Sequence, residues 1–294
     1  MIVVKLMGGL GNQMFQYAAG LSLATKKNTD LYIDTSFLNE DDKGAYTKRH
    51  FELDMFNISV KIADKFILDQ FNFNQTKLIT KLKKLKPNLF KKIIYNEHQF
   101  HFLTTFFKLP VYTYLNGFWQ SENYFNECRS ILLNQFSLKK SLSDNAFEID
   151  NKIKSTTSIS LHIRRGDFLS LKSANHFHGF LPIDYYKNAI NYINTKISNV
   201  TFFIFSDDID WCKNNFDFIS NKEFVDGKFL ALTIHEELIL MSNCQHNITA
   251  NSSFSWWGAW LNQNPEKIVI APKNWFADKT INTNDLIPKS WIKL

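Results

Sequence analysis

Cysteine is scarce in this sequence. Cys128, Cys212 and Cys244 are scattered over the 294 residues, with no Cys-x-x-Cys pair and no Cys/His spacing suited to a metal. An odd, dispersed set argues against a disulfide framework and for buried free thiols in a reducing compartment. No apolar run is long enough to span a bilayer. The chain opens directly on the strand-like Ile2-Val3-Val4-Lys5-Leu6, with no apolar core and small-residue cleavage site, so a signal peptide is not expected. The sequons at Asn57, Asn199, Asn247 and Asn251 are then accidents of an Asn-rich composition. Internal repeats and low-complexity tails are also missing.

What is present describes a packed globular protein: 45% hydrophobic, 21% charged, long enough for two domains of ordinary size. The 28 phenylalanines imply bulky aromatic cores. A net charge of +6 suits an anionic ligand or a membrane surface and is too mild to argue for nucleic acid.

Strand Ile2–Leu6 runs into Gly8-Gly9-Leu10-Gly11-Asn12-Gln13, and a helix is expected from about Met14 to Thr25. Glycines here let a ligand approach the backbone and the helix N-terminus, although tight turns alone explain them equally. Met14 stands where a dinucleotide fingerprint has its third glycine, and no Gly-Lys-Ser/Thr follows to make a Walker A loop. Leu31–Asp34 reads as a second strand, and 35–49 as polar loop. The stretch 77–108 is Lys-rich, with Leu78, Leu82 and Leu85 at helical spacing. It reads as an amphipathic helix with a solvated basic face or as a surface for anionic lipid. The polar segment Ser137–Ser158 is the best candidate domain boundary. Beyond it, strands at Ser158–Ile163, Val200–Phe205, Glu223–Val225, Asn247–Ala250 and Lys267–Ala271 alternate with helices at Asp184–Ile197, from Asp208, Ile234–Asn243 and Ser253–Asn262. That alternation predicts a parallel sheet covered by helices.

Chemistry-bearing residues gather where these strands should end, and ligands of open α/β sheets bind there. His162-Ile163-Arg164-Arg165-Gly166-Asp167 closes the first of them. Two guanidiniums at such a place suit a pyrophosphate, or else pair with surface carboxylates. Ser206-Asp207-Asp208 caps the helix that follows; Asp208-Ile209-Asp210 superficially matches a metal-binding Asp-x-Asp, but Asp210 should fall inside the helix. Thr233-Ile234-His235-Glu236 is a capping box, and Glu237 beside it could accept from N1 and the exocyclic amine of a guanine or simply stabilise the helix start. Asn251-Ser252-Ser253-Phe254 opens a helix carrying Trp256, Trp257 and Trp260. Its hydroxyls and free N–H groups suit phosphate, and its tryptophans suit the core.

Taken together, Gly8–Gln13, His162–Asp167 and Asn251–Trp260 closely resemble the bacterial α-1,2-fucosyltransferases of glycosyltransferase family eleven, as do His178-Gly179 before Leu181-Pro182 and Pro272-Lys273-Asn274-Trp275-Phe276. The resemblance covers most of the chain but little of 35–116. It implies two Rossmann-like domains facing a cleft (the GT-B arrangement), an acceptor-side domain over 1–150 and a GDP-fucose-binding domain over 151–294. It further implies inverting transfer of L-fucose from GDP-β-L-fucose to the 2-hydroxyl of a β-galactoside, with no metal and no other cofactor. On this resemblance Arg164 neutralises the β-phosphate, Arg165 supports the loop or phosphate, and His162 lies near the nucleotide. Asp207, Asn251, Ser252, Ser253 and Phe254 belong to the same donor-binding set, with Gly9 and Gly11 from the glycine loop. Related enzymes tend to have Asp where Glu237 stands. Asn12 lies near the glycosidic oxygen.

Negative charge growing on GDP in an oxocarbenium-like displacement can be stabilised by preorganised guanidiniums and N–H groups without a metal. For the base that takes the acceptor proton, His178 and Asp167 are candidates, with Asp34 a third; orienting the arginines is the other reading of Asp167, and the preferred one. A cytoplasmic enzyme of bacterial surface polysaccharide, with the inner membrane face and a lipid-linked acceptor as further options, fits the Lys-, Asn-, Ile- and Phe-rich composition. The competing readings are another GDP-sugar transferase with a different acceptor hydroxyl, and a non-catalytic nucleotide-sugar-binding module. The metal reading has a direct test: EDTA leaves transfer intact, whereas loss restored by Mn²⁺ would revive the Asp208/Asp210 pair.

Overall fold

A computed structural model describes residues 1–39, 49–59, 61–71, 93–165 and 179–294. Asp167, His178 and the leucine stripe of the Lys-rich stretch lie outside the described residues. The chain divides into two units, one formed by Met1–Phe136 with Asn284–Leu286, the other by Ser137–Thr283 with Ile287–Leu294. The expected border at 150/151 falls inside a helix, Asp144–Ser155. The polar stretch is helical because Ser143 accepts from the Ala146 N–H at its start while Ala146, Ile149 and Ile153 bury one stripe.

In the first unit, strands β1 (Ile2–Lys5), β2 (Leu31–Asp34), β3 (Lys61–Ile62), β4 (Ile93–Asn96) and β5 (Thr113–Asn116) form a sheet in the order β3-β2-β1-β5-β4. Every pairing is parallel, with Val3 opposite Tyr32 on one side and Tyr114 on the other. Helices α1 (Leu10–Lys26), α2 (Ser36–Asn39), α3 (Lys65–Asp69) and α4 (Arg129–Gln135) complete it. Helix α1 starts four residues before the expected Met14. Gly8 turns the chain in the left-handed region at φ +75°, Gly9 becomes the N-cap, and the Asn12 and Gln13 N–H groups already donate to the Gly9 carbonyl. Asn12 therefore stands on the first helical turn rather than in a loop. The polar segment expected as loop after Asp34 begins instead with the single turn of α2.

The second unit holds α5 (Asp144–Ser155), β6 (Thr157–Ile163), α6 (Ile183–Lys196), β7 (Val200–Ser206), α7 (Ile209–Asn215), β8 (Lys222–Val225), α8 (Ile234–Asn243), β9 (His246–Ile248), α9 (Ser253–Leu261), β10 (Val269–Ala271) and β11 (Ile292–Lys293). Its sheet runs β11-β10-β9-β6-β7-β8, again wholly parallel. Strands step outward one way from β6 and the other way from β9, so that pair is where the winding reverses. Period-two alternation sends Ile159, Leu161 and Ile163 to the face on which Tyr185, Tyr186, Ala189 and Ile193 of α6 pack. His162 belongs to the other face, where its ring lies 5.8 Å from that of Phe254 on α9. The tryptophans of α9 are core, as expected: Trp257 meets Trp256 and Trp260 edge-on at 5.1 and 5.0 Å.

Among the described residues, no helix is long and apolar enough to cross a membrane. Helix and sheet approach closely at Gly20 of α1, where an added Cβ would lie 2.9 Å from Leu31 Cδ1 and 3.1 Å from Val4 Cγ1. Gly20→Ala should therefore destabilise the protein by about 1–3 kcal/mol through overpacking, against the helix-propensity gain. A urea midpoint equal to or above that of the wild type would contradict this close approach.

Candidate functional site

The carboxyl ends of β6 and β9 bring together most of the expected donor-site residues. Beyond β6 come Arg164 and Arg165; beyond β7, Asp207 and Asp208; beyond β8, Asp226 and Gly227; beyond β9, Asn251, Ser252 and Ser253. Asp207 organises the first group. Its Oδ2 lies 3.0 Å from Arg164 Nη1, and its Oδ1 accepts from the Arg165 backbone N–H at 2.8 Å. The arginines part company at their side chains. Arg165 Nε donates to Asp208 Oδ2 at 3.2 Å, and its guanidinium carbon sits 3.8 Å from the centre of the Trp211 ring and 5.6 Å from that of Phe180. Arg165 is thus a buttress between an acid and two aromatics, while Arg164 stands at the mouth of the sheet.

His162, only 4% exposed, has an Nδ1 with no hydrogen-bond partner among the described residues. Burial, and then the Arg164 cation, press its pKa well below the usual imidazole value, with Asp207 acting weakly the other way. A neutral ring at the reversal point with an unsatisfied nitrogen is a place for a ligand polar group. Opposite it, α9 starts at Ser252 with no side-chain cap and no acid in its first turn. Its N–H groups and positive dipole end are therefore unclaimed by a local side chain. Asn251 acts differently: buried at 4% exposure, its Nδ2 donates to the carbonyls of Gly179 and Trp275, so it ties the loops around the site.

Glu237 follows the capping box, in which Thr233 accepts from the Glu236 N–H while the Glu236 carboxylate accepts from the Thr233 and Ser143 N–H groups. The Glu237 carboxylate presses on Gly227; a Cβ there would lie 1.9 Å from its Oε1. Burial, then Asp226 and Asp207, push the Glu237 pKa up to about 7, against the pull of Arg164. The Asp-x-Asp carboxylates diverge: Asp208 caps α7 and holds Arg165, whereas the Asp210 side chain is 93% exposed beside Lys213. Among the described residues no cluster of His, Cys, Asp or Glu is arranged to hold a metal.

The first unit carries a second polar cluster, at the ends of β1 and β5. Gly9 and Gly11 belong to this unit, Gly9 as the N-cap of α1 and Gly11 buried within it. Asn12 Oδ1 accepts from Gln120 Nε2 at 2.9 Å, and Gly8 packs beneath it, where a Cβ would lie 2.6 Å from Asn12 Nδ2. Gln13, fully buried, donates to the carbonyls of Gly8 and His50 and accepts from the Glu52 N–H, pinning 50–52 to the glycine turn. Asp34 has both oxygens engaged, one by the Ser36 N–H and the other by the Tyr114 hydroxyl at 2.6 Å. It is a clasp across the sheet, poorly placed to serve as a base.

Sequence reasoning missed Gln120, Glu97 and the Trp211 face. Gln120 lies in no motif; Glu97 directly follows a short apolar strand, which was a usable signal. The described residues leave Asp167 and His178 without a structural placement.

A family model described as Glycosyl transferase family 11 matches residues 1–294. An "Alpha-1,2-colitosyltransferase" of Escherichia coli is 36% identical over 296 residues, covering 100% of this chain and 98% of that one. The "O-antigen biosynthesis glycosyltransferase WbnK" of Escherichia coli is 36% identical, covering 98% and 99%. The human "Galactoside alpha-(1,2)-fucosyltransferase 1" is 23% identical over 154 residues, half of this chain and 42% of that protein.

Proposed function

The chain belongs to glycosyl transferase family 11, and from that premise we propose that it transfers L-fucose from GDP-β-L-fucose to the 2-hydroxyl of a β-galactoside, with inversion and without a metal. One observation carries the reading: at the β6/β9 reversal, Arg164, the unsatisfied His162 Nδ1 and the uncapped start of α9 converge, and Glu237 lies further along the same sheet edge. A diphosphate meets a guanidinium and a helix N-terminus there, and a guanine meets a carboxylate that can accept two parallel N–H bonds.

Charge moves toward the diphosphate as the glycosidic bond breaks. Arg164, held in place by Asp207, and the N–H groups of Ser253 and Phe254 at the head of α9 stabilise that charge without reorganising. Neutral His162 contributes a hydrogen bond and no extra cation. Arg165 keeps the loop rigid through Asp208 and Trp211. For Asn12 the family resemblance supports a hydrogen bond from its amide to the glycosidic oxygen. The acceptor is proposed to be a glycan of a bacterial surface polysaccharide, a reading supported by the naming of the O-antigen relative.

A second donor has a specific observation in its favour. One of the two 36%-identical relatives is named for colitose, so that sugar on the same nucleotide is the alternative. GDP release by the purified protein, from GDP-fucose with lactose or a Galβ1,3-linked acceptor, separates the readings. Acceptor-dependent release supports fucose; binding without turnover on any galactoside points to the other sugar or to a binding module. Stronger competition by UDP than by GDP overturns the nucleotide assignment.

Arg164→Ala should lower kcat by roughly 10²–10³-fold and weaken GDP binding, with an unchanged unfolding midpoint. Near-wild-type turnover would sink the phosphate role. Glu237 makes a pH prediction. Guanine binds the ionised carboxylate, whose pKa in the free protein is about 7, so protonation must be reversed for binding at lower pH. GDP affinity should hold above pH 7 and fall by roughly tenfold per unit below it. Calorimetric titration of Glu237→Gln should lack that step; the same step in the variant would remove Glu237 from the guanine contact.

A further inference from the structure

Glu97 is a buried carboxylate that none of the chemistry above uses. It follows β4 directly, and its own N–H continues the ladder by donating to the Asn116 carbonyl at 2.9 Å. That places its side chain against the segment leaving β5. Its Oε2 accepts from the Phe118 N–H at 2.6 Å, and both oxygens lie within reach of the Trp119 N–H, at 3.1 and 3.2 Å. Gly117 makes the approach possible: a Cβ there would sit 2.4 Å from Glu97 Cβ and 2.8 Å from Oε2.

The clamp holds an unfavourable backbone. Trp119 has φ +56°, a left-handed conformation that costs a bulky residue about 1–2 kcal/mol. Its buried ring is locked by stacking on Tyr95 at 5.8 Å and by edge contacts with Tyr124. The Ser121 N–H then donates to the Trp119 carbonyl at 2.8 Å, closing the turn around Gln120. Gln120, 8% exposed, reaches Asn12. With Oδ1 occupied by Gln120, the Asn12 amide can rotate only by breaking that bond, and its Nδ2 is set as a donor over Gly8.

A carboxylate is a costly way to hold a loop. Among the described residues no cation pairs with Glu97, and burial pushes its pKa up to about 7 in spite of the two backbone donors. The return is geometric: two convergent acceptors on one side chain fix consecutive N–H groups, as a neutral amide with a single acceptor oxygen does not.

We propose that Glu97 is a positioning residue of the transfer reaction: through Phe118 and Trp119 it sets Gln120, and through Gln120 it orients the Asn12 amide. The inference rests on the reading of Asn12 given above. It assigns a role to the ends of β4 and β5, a region outside every motif.

The test is a set of double-mutant cycles on the full chain, following GDP release from GDP-fucose with a galactoside. Glu97→Gln and Gln120→Ala should each lower kcat by roughly tenfold or more while leaving the KM for the donor and the GDP affinity unchanged. In an Asn12→Ala background neither should lower kcat further. A purely structural role would instead move the unfolding midpoint and act equally in both backgrounds. If Glu97→Gln loses stability, Gly117→Ala, which pushes the carboxylate aside, is expected to reproduce the kcat loss. Wild-type kcat in Glu97→Gln and Gln120→Ala, or losses that multiply with that of Asn12→Ala, would overturn the proposal while leaving the reading of Asn12 standing. An Asn12→Ala enzyme with undiminished kcat, or a wild type that turns over no GDP-sugar, overturns that reading and this inference together.

Discussion

A strand paired in parallel cannot turn back to its neighbour; the chain must cross over through another element and re-enter from the same end. Both sheets here are wholly parallel, so each presents all its carboxyl ends along one edge. In the C-terminal unit the strands step outward from β6 and from β9 in opposite directions, so the winding reverses between those two strand ends. His162 lies on β6 while Arg164 and Ser252 directly follow β6 and β9, so the site depends on that reversal.

Charge at the site is arranged by subtraction. Two arginines at one strand end would repel each other and wander, but Asp207 and Asp208 take one each, and Asp207 also fixes the backbone between them. Arg165 is drawn off onto Trp211, leaving Arg164 as the cation of the mouth. Burial first, and then the Arg164 field, keep His162 neutral, and the same field partly offsets the burial of Glu237. A site of this kind sets a cationic group and an acidic one along the same sheet edge.

The C-terminal half was legible because its signals are local. Helix α8 stands over the expected Ile234–Asn243, and α6 lies within one residue of its expected span. The three tryptophans of α9 went to the core as their helical spacing implied. The N-terminal half was less legible. Strands β4 and β5 are four residues each, and β3 is two. Such short pieces carry too few residues for periodicity, and only their neighbours make them strands. The start of α1 was placed late because the glycines that read as a loop turn out to supply the left-handed turn and the N-cap of the helix itself.

By itself the sequence determined the parallel α/β architecture of the C-terminal half, the strand-end placement of Arg164 and Ser252, the place of Glu237 at the start of α8, and the family. Periodicity, caps and motifs are properties of neighbouring residues. Only the tertiary structure decided which arginine is a buttress and which faces the mouth, that Asn251 ties loops, that Asp34 is spent on Tyr114, and that Glu97 and Gln120 reach Asn12 from far along the chain. The reason is physical. Hydrogen-bond partners and desolvation are fixed by which strand ends the crossovers bring together, and no local pattern encodes that for residues a hundred positions apart.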